Sequence, residues 1–213
     1  MPLVYQHTIN SNTKLGLWRI EEPEEFFLAK VPLKRDVTHP HKRLQHLAGR
    51  YLLPTLFEDF PLEEILIADT RKPFLPEEQY HFSISHCGHY AAAIASSEQR
   101  VGIDIEQPTE KIFRIIHKFL NEDEKSLLDK PMGTKQLLQT VTLMWSSKES
   151  MFKWYGNGGV DFKEHMHIEA IHGNNEEGKI HCQFLKQQAT PLHVQYRLMN
   201  DLVMSWVVSS AIA

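Results

Sequence analysis

Three short stretches of this chain carry the side chains from which cation and phosphate chemistry is built. The first is Val101-Gly102-Ile103-Asp104-Ile105-Glu106. Side chains alternate between the two faces of a strand. Val101, Ile103 and Ile105 therefore point one way, and Asp104 and Glu106 point the other, with Cβ atoms about 7 Å apart. Two carboxylates on one face suit a hard cation such as Mg2+. Alone, the pattern describes equally a half-buried strand with a solvated acidic face. The second stretch is Trp145-Ser146-Ser147-Lys148-Glu149-Ser150-Met151-Phe152-Lys153. On a helix, Glu149 and Lys153 are i, i+4 and share a face with Trp145, one turn earlier. That adds a third carboxylate with an ammonium beside it. Alone it is a surface ion pair worth about 0.3–0.5 kcal/mol. The third is Phe82-Ser83-Ile84-Ser85-His86-Cys87-Gly88. Ser83 and Ser85 alternate with Phe82 and Ile84, His86 stands at the strand's end, and Gly88 permits a tight turn. Hydroxyls, amides and an imidazole in that setting can hold a phosphate.

Two basic stretches lie upstream. Arg43, His46 and Arg50 are spaced i, i+3, i+7, so one helix face carries three basic groups. Arginine forks match phosphate oxygens. Arg71-Lys72-Pro73-Phe74 is a rigid basic loop able to pack against a base or ribose.

Elements must bring these pieces together. Tyr5–Ile9 and Lys14–Ile20 read as strands, and Glu21–Phe27 as a short acidic helix. His39 to Phe57 reads as a long helix, because Leu44, Leu47, Ala48, Tyr51 and Leu52 recur at helical spacing, with Pro54 expected to kink or interrupt its end. Ile65–Asp69 is a short strand and 70–78 a proline-rich loop. His81–Ser85, Tyr90–Ser96 and Arg100–Glu106 follow as strands. Lys111–Phe119 is helical. Asn121 caps the next helix, with Glu124 at capping-box spacing. Lys135 to Tyr155 is a long helix ended by Gly156. The tail alternates in strands: His165–His172, Lys179–Phe184, His193–Leu198 and Val203–Ser210, with Asn200-Asp201 as a hairpin turn. Both halves run helix first and strands after, and Tyr90–Ser97 loosely echoes Trp206–Ala211. The expected fold class is α+β, in two similar halves: an N-terminal half, 1–99, and a C-terminal half, 100–213.

Composition narrows the function. The 213 residues are 42% hydrophobic and 23% charged, which suits a globular protein with a buried core. A net charge of -4 disfavours a general nucleic-acid binder. Cys87 and Cys182 belong to no CxxC or zinc pattern and make no disulfide framework, which fits a reducing cytoplasm. The first ten residues show no signal-peptide pattern, and no apolar run approaches a membrane span. His39/His41 and His165/His167 have the i, i+2 spacing of strand metal ligands, but no third ligand accompanies them. No GxxxxGK[ST] or GxGxxG run is present, against a nucleoside triphosphate user.

The order SISH, GIDIE and WSSKES, with Lys153 four residues beyond Glu149, resembles the 4′-phosphopantetheinyl transferase superfamily. It is similar to the longer, single-chain, pseudo-dimeric type, whose sequences carry GIDxE and WxxKEAxxK. The resemblance runs from about Arg43 to Lys153. It implies two α+β halves related by a pseudo-two-fold, with coenzyme A in the cleft between them. It also implies transfer of phosphopantetheine from coenzyme A to a serine of an apo-acyl or peptidyl carrier protein, releasing 3′,5′-ADP, as in a holo-[acyl-carrier-protein] synthase. One chain would then contain both halves of the cleft, so a monomer suffices.

Asp104, Glu106 and Glu149 match the magnesium ligands, and Glu149 is the expected base, directly or through a bound water. Lys153 matches the lysine on the coenzyme A phosphates, with Lys148 beside it. Ser85 and His86 match residues at the phosphate end, Lys72 and Pro73 the loop holding the adenosine part, and Arg43 and Arg50 the positions reaching the 3′-phosphate. Two departures stand out. Arg71 replaces the glycine of a Gly-Lys-Pro loop and must take a conformation easier for glycine. Ser150 replaces an alanine after Lys148-Glu149 and fits the same space. An acidic carrier would dock near the cleft, on 112–120, where Arg114 and Lys118 lie among apolar residues. A different metal-dependent phosphotransferase, or an inactive module that only binds coenzyme A or a carrier, is the competing reading.

Overall fold

The structure is a computed structural model describing residues 2–33, 37–129, 131–199 and 201–209. In the first sheet one edge strand alternates half-buried and exposed positions, while the central strands are buried almost throughout. Strands β1 (Leu3–Asn10) and β2 (Thr13–Arg19) form a hairpin. β2 pairs antiparallel with β6 (Tyr90–Ser96), and β6 with β5 (His81–Cys87), giving the order β1-β2-β6-β5. A two-stranded hairpin, β3 (Leu66–Ile67) with β4 (Pro73–Phe74), sits in the connection. The short helix α1 (Glu24–Leu28) packs on α2 (Pro40–Leu56), which crosses β6, β2 and β5. Small side chains allow this: Ala91, Ala93 and Ala95 of β6 face the α2 residues Leu47, Ala48, Leu52 and Leu53 in one core.

The second sheet has the order β7-β11-β10-β9-β8 and is antiparallel throughout. Its strands are β7 (Arg100–Glu106), β8 (Met166–Gly173), β9 (Glu177–Phe184), β10 (Thr190–Met199) and β11 (Leu202–Ser209). Helices α3 (Ile116–Phe119) and α4 (Glu122–Ser126) lead into α5 (Thr134–Tyr155), whose buried side chains meet β7 and β11. Gly156, at φ 75°, ends α5. A separate apolar layer joins the two sheets. Leu15, Leu17, Ala92 and Ile94 of the first meet Val101, Ile103 and Ile105 of β7, with Leu202, Met204 and Trp206 of β11. Burying each aliphatic side chain there contributes about 1.5–3 kcal/mol.

Several boundaries differ from the sequence expectation for identifiable reasons. α1 begins only at Glu24, after Pro23, which is extended at ψ 162°. Pro54 lies inside the last turn of α2, and the helix closes at Phe57, the expected end. The strand expected over Ile65–Asp69 shrinks to two residues, and the loop after it contributes two more to the same hairpin. The helix expected over Lys111–Phe119 splits into a 3-10 turn at Glu110–Arg114 and the short α3. β5 runs on to Cys87, so His86 lies within the strand. Asn200 and Ser210 of the expected final hairpin lie outside the described residues; Met199 pairs with Leu202 across it.

Gly102 sets the distance between β7 and α5. A Cβ there would collide with the Ser150 carbonyl oxygen and stand 2.7 Å from Trp154 N, both on the α5 backbone. Backbone cannot swing aside as a side-chain tip can. Gly102→Ala is therefore expected to push the two elements apart and to cost stability at or above the upper end of overpacking, about 3 kcal/mol. Chemical denaturation checks this. An unchanged midpoint would mean that the contact yields without cost.

Candidate active site

β5 and β7 are end strands of different sheets, and side chains join them. Ser83 Oγ accepts from the Ile103 amide at 3.2 Å, Ser85 Oγ from the Ile105 amide at 3.3 Å, and Cys87 Sγ from the Gln107 amide at 3.3 Å. The two-residue period is the same on both strands. The serines thus satisfy backbone donors of β7 and fix its register against β5. This is a positioning role that the sequence alone did not suggest.

On the face of β7 turned away from the apolar layer, Asp104 is 3% exposed. Its Oδ1 accepts from Ser85 Oγ at 2.8 Å and pairs with Lys153 Nζ at 2.7 Å. Lys153 also donates to Ser85 Oγ at 2.9 Å. Strand and helix therefore meet through one carboxylate, one hydroxyl and one ammonium. Glu106 Oε1 accepts from Trp145 Nε1 at 3.1 Å, and Cys87 Sγ lies 3.8 Å from its Oε2. Burial, and then the charge of Asp104, push the Glu106 carboxyl above the usual range. Glu149 is pushed up to about 7, first by burial and then by Asp104; Lys153 opposes the shift and Glu106 adds to it.

Three carboxylates thus repel one another in a half-buried place that holds one ammonium. Among the described residues, no three His, Cys, Asp or Glu side chains are gathered closely enough to form a finished metal cage. The donor set still fits a hard cation. Asp104 Oδ2 is buried without any hydrogen-bond partner, so the pair with Lys153 leaves half of that carboxylate unsatisfied. His86 lies within electrostatic reach of Lys153, Asp104 and Lys42. Burial is the main cause that lowers its pKa, and the two lysines lower it further. Lys42 was not among the residues singled out from the sequence; its adjacency to Arg43 on the basic helix was the only signal.

Four of the expected coenzyme contacts have partners within the protein. Lys148 is fully buried, pairs with Glu124 at 2.6 Å, and donates to the carbonyls of Phe119 at 2.5 Å and Phe162 at 2.9 Å. It stands in the buried stripe of α5 with Val141, Met144, Met151 and Tyr155, about 100° around the helix from Glu149. It is therefore corrected from a coenzyme contact to a structural cation. Arg43 pairs with Glu24 at 2.8 Å and donates to the Val37 carbonyl at 3.0 Å, so it is tied to α1 and the chain before α2. Arg50 contacts His46 Nδ1 at 3.0 Å. Ser85 is buried and committed to Asp104, Lys153 and β7, so it positions the site instead of offering a free hydroxyl.

Arg71 sits at φ 67°, the left-handed conformation that glycine adopts without strain. Lys72 follows against Gly156, whose own φ of 75° and missing Cβ leave room for the lysine stem. A cleft of about 220 Å3 opens between this loop and α5, lined by Lys72, Pro73, Ile84, Phe152 and Lys153 among others. It connects the loop to the Asp104–Lys153 pair.

Comparison with known proteins places the chain in a family. Residues 100–207 match the profile of the 4′-phosphopantetheinyl transferase superfamily, which is just over half of the chain. The chain belongs to that superfamily. It is 30% identical over 119 residues to enterobactin synthase component D of Salmonella typhi, covering 54% of this chain and 49% of that protein. It is 34% identical over 114 residues to 4′-phosphopantetheinyl transferase gsp of Aneurinibacillus migulanus, covering 53% and 46%. It is 28% identical over 153 residues to L-aminoadipate-semialdehyde dehydrogenase-phosphopantetheinyl transferase of Xenopus laevis, covering 63% and 51%. The chain spans about half the length of the curated relatives it matches.

Proposed function

We propose that this protein transfers the 4′-phosphopantetheine group of coenzyme A to a serine hydroxyl of an apo-carrier protein and releases 3′,5′-ADP. The observation that carries this reading is the meeting of Asp104 from β7 with Lys153 from α5, beside a Glu149 whose carboxyl is held near neutrality. Family membership supplies the reaction type, and relatives named enterobactin synthase component D favour a carrier of a synthase of that kind over a dedicated fatty-acid synthase partner. A monomer working in the cytoplasm, with its coenzyme between halves 1–99 and 100–213, belongs to the same proposal. Among the described residues, no helix is long and apolar enough to cross a membrane.

In the reaction, the serine oxygen bonds to the β-phosphorus while the bond from that phosphorus to the oxygen bridging it to the α-phosphate breaks. Charge spreads over phosphate oxygens, so positioning and electrostatics dominate. Asp104, Glu106 and Glu149 would hold Mg2+, which when bound neutralises and orients the pyrophosphate oxygens. Glu149 accepts the serine proton, directly or through a bound water. Lys153 offsets the charge that grows on the departing α-phosphate. Ser85 and Trp145 hold Asp104 and Glu106 in place. His86 and Lys42 present positive or polar groups to the phosphate end, and Lys72 with Pro73 forms the wall for the adenosine part. For Arg43 to reach a 3′-phosphate it must exchange Glu24 for the ligand. Exposed Arg114 and Lys118, among partly buried apolar residues, are available to an acidic carrier.

The test is stoichiometric. One 3′,5′-ADP should form for each carrier modified, only with coenzyme A, Mg2+ and apo-carrier all present. Release of 3′,5′-ADP without a carrier, or none under any condition, would reject transfer.

Lys72 gives a pH prediction. Burial, then repulsion from Arg100, lower its pKa to about 8. A lysine with a lowered pKa is charged below that value and loses its charge as pH rises through it. Coenzyme A affinity should therefore fall between pH 7 and 9, well before ordinary lysines titrate. Lys72→Arg should flatten that fall in calorimetric titrations. A fall of equal size in both proteins would assign it to another group.

A further inference from the structure

We propose that the cavity behind the 71–73 loop is a binding site for a phosphate-type oxyanion, separate from the cleft that leads to Lys153. The cavity has a volume of about 240 Å3; it shares Lys72, Pro73, Phe82 and Gly156 with that cleft, while His81, Arg100 and Tyr155 line it alone. Its polar wall is Lys72, His81 and Arg100, with Glu78 as the one acidic lining residue; Tyr80 and Tyr155 complete it. Among the described residues, neither Lys72 nor Arg100 has an ion-pair partner, and the charge of Arg100 acts on Lys72 as a like charge. His81 is also lowered, first by burial; Glu78 opposes the shift, while Arg100 and Lys72 add to it.

Two half-buried cations lining one cavity, with His81 as a third potential donor in the same lining, are unfavourable as they stand. A tetrahedral oxyanion resolves this. It would accept the guanidinium fork of Arg100, the ammonium of Lys72 and an imidazole N–H of His81, while the aromatic rings exclude water. Inorganic phosphate and a small phosphate monoester share this chemistry, and the volume admits either. Lys72 forms a wall of both spaces, so occupancy behind the loop would be felt on its coenzyme side. The site itself does not depend on the transferase reading.

Thermal unfolding with and without inorganic phosphate, at constant ionic strength set with chloride, tests this. The wild type and Lys153→Ala should gain about 3 °C or more at roughly twenty-fold saturation. Arg100→Gln should gain nothing, and His81→Gln provides the same test if Arg100→Gln does not fold. A larger gain with glycerol 3-phosphate than with inorganic phosphate assigns the site to an organic phosphate; the reverse assigns it to the free ion. No gain in the wild type overturns the proposal. So does a gain kept in Arg100→Gln and His81→Gln, or one lost in Lys153→Ala, since phosphate would then be entering the coenzyme cleft.

Discussion

Glu149→Gln should lower the turnover number about 10²–10⁴-fold, the usual contribution of a general base, while the protein stays folded. The substitution preserves shape and removes one negative charge from a place that holds three carboxylates. Burial and Asp104 already push this carboxyl up to about 7. A carboxyl raised in the folded state binds its proton more tightly there than in the unfolded chain. Its deprotonation therefore works against folding as pH climbs from the ordinary carboxylate range through 7. The neutral amide avoids that penalty, so without metal the variant should melt no lower than the wild type at pH 8. Loss of turnover with an equal or higher melting temperature is the expected pair of results. Turnover close to wild type would remove Glu149 from the chemistry altogether.

Lys148→Ala should destabilise the fold by about 3–5 kcal/mol, because it leaves Glu124 charged, buried and without its cation. For a chain of this size that is a fall of about 6–20 °C in melting temperature. Glu124 also accepts from the Asn121 and Ile168 amides, so it ties the capping box of α4 and strand β8 to the middle of α5. The double variant Lys148→Met, Glu124→Gln keeps part of that bonding and removes both charges, and should recover much of the loss. Any activity lost in Lys148→Ala should follow the unfolded fraction, with the KM for coenzyme A unchanged. A stable variant with a raised KM would restore Lys148 to the phosphate site.

Lys148 also shows where sequence reading stops. The motif places it beside Glu149, and adjacency in sequence suggests a shared role that the helix does not grant. On a helix, adjacent residues point about 100° apart, and the stripe Val141, Met144, Met151, Tyr155 runs through position 148. A lysine at a core position needs a buried partner, and the structure supplies it in Glu124, which the sequence shows only as a capping-box residue. The alternation in β7 was legible because an apolar layer takes Val101, Ile103 and Ile105 on one side only. The long helices and most strands were legible through their periods. The boundaries around Pro23 and 110–119 were not, since a single proline and a 3-10 turn depend on tertiary packing. The bonds from Ser83, Ser85 and Cys87 to β7 were invisible, because their period on one strand says nothing about which strand lies alongside. Arg71 was anticipated from its own residue type: a side chain where glycine is easier, now at φ 67°.

The central claim is tested most directly by the intact mass of an apo-carrier protein incubated with this protein, coenzyme A and Mg2+. The account predicts a gain of one phosphopantetheine per carrier, located on the acceptor serine, and no gain when that serine is alanine or when Asp104→Ala replaces the wild type. Coenzyme A binding without a mass change on siderophore, peptidyl and acyl carriers alike would contradict it.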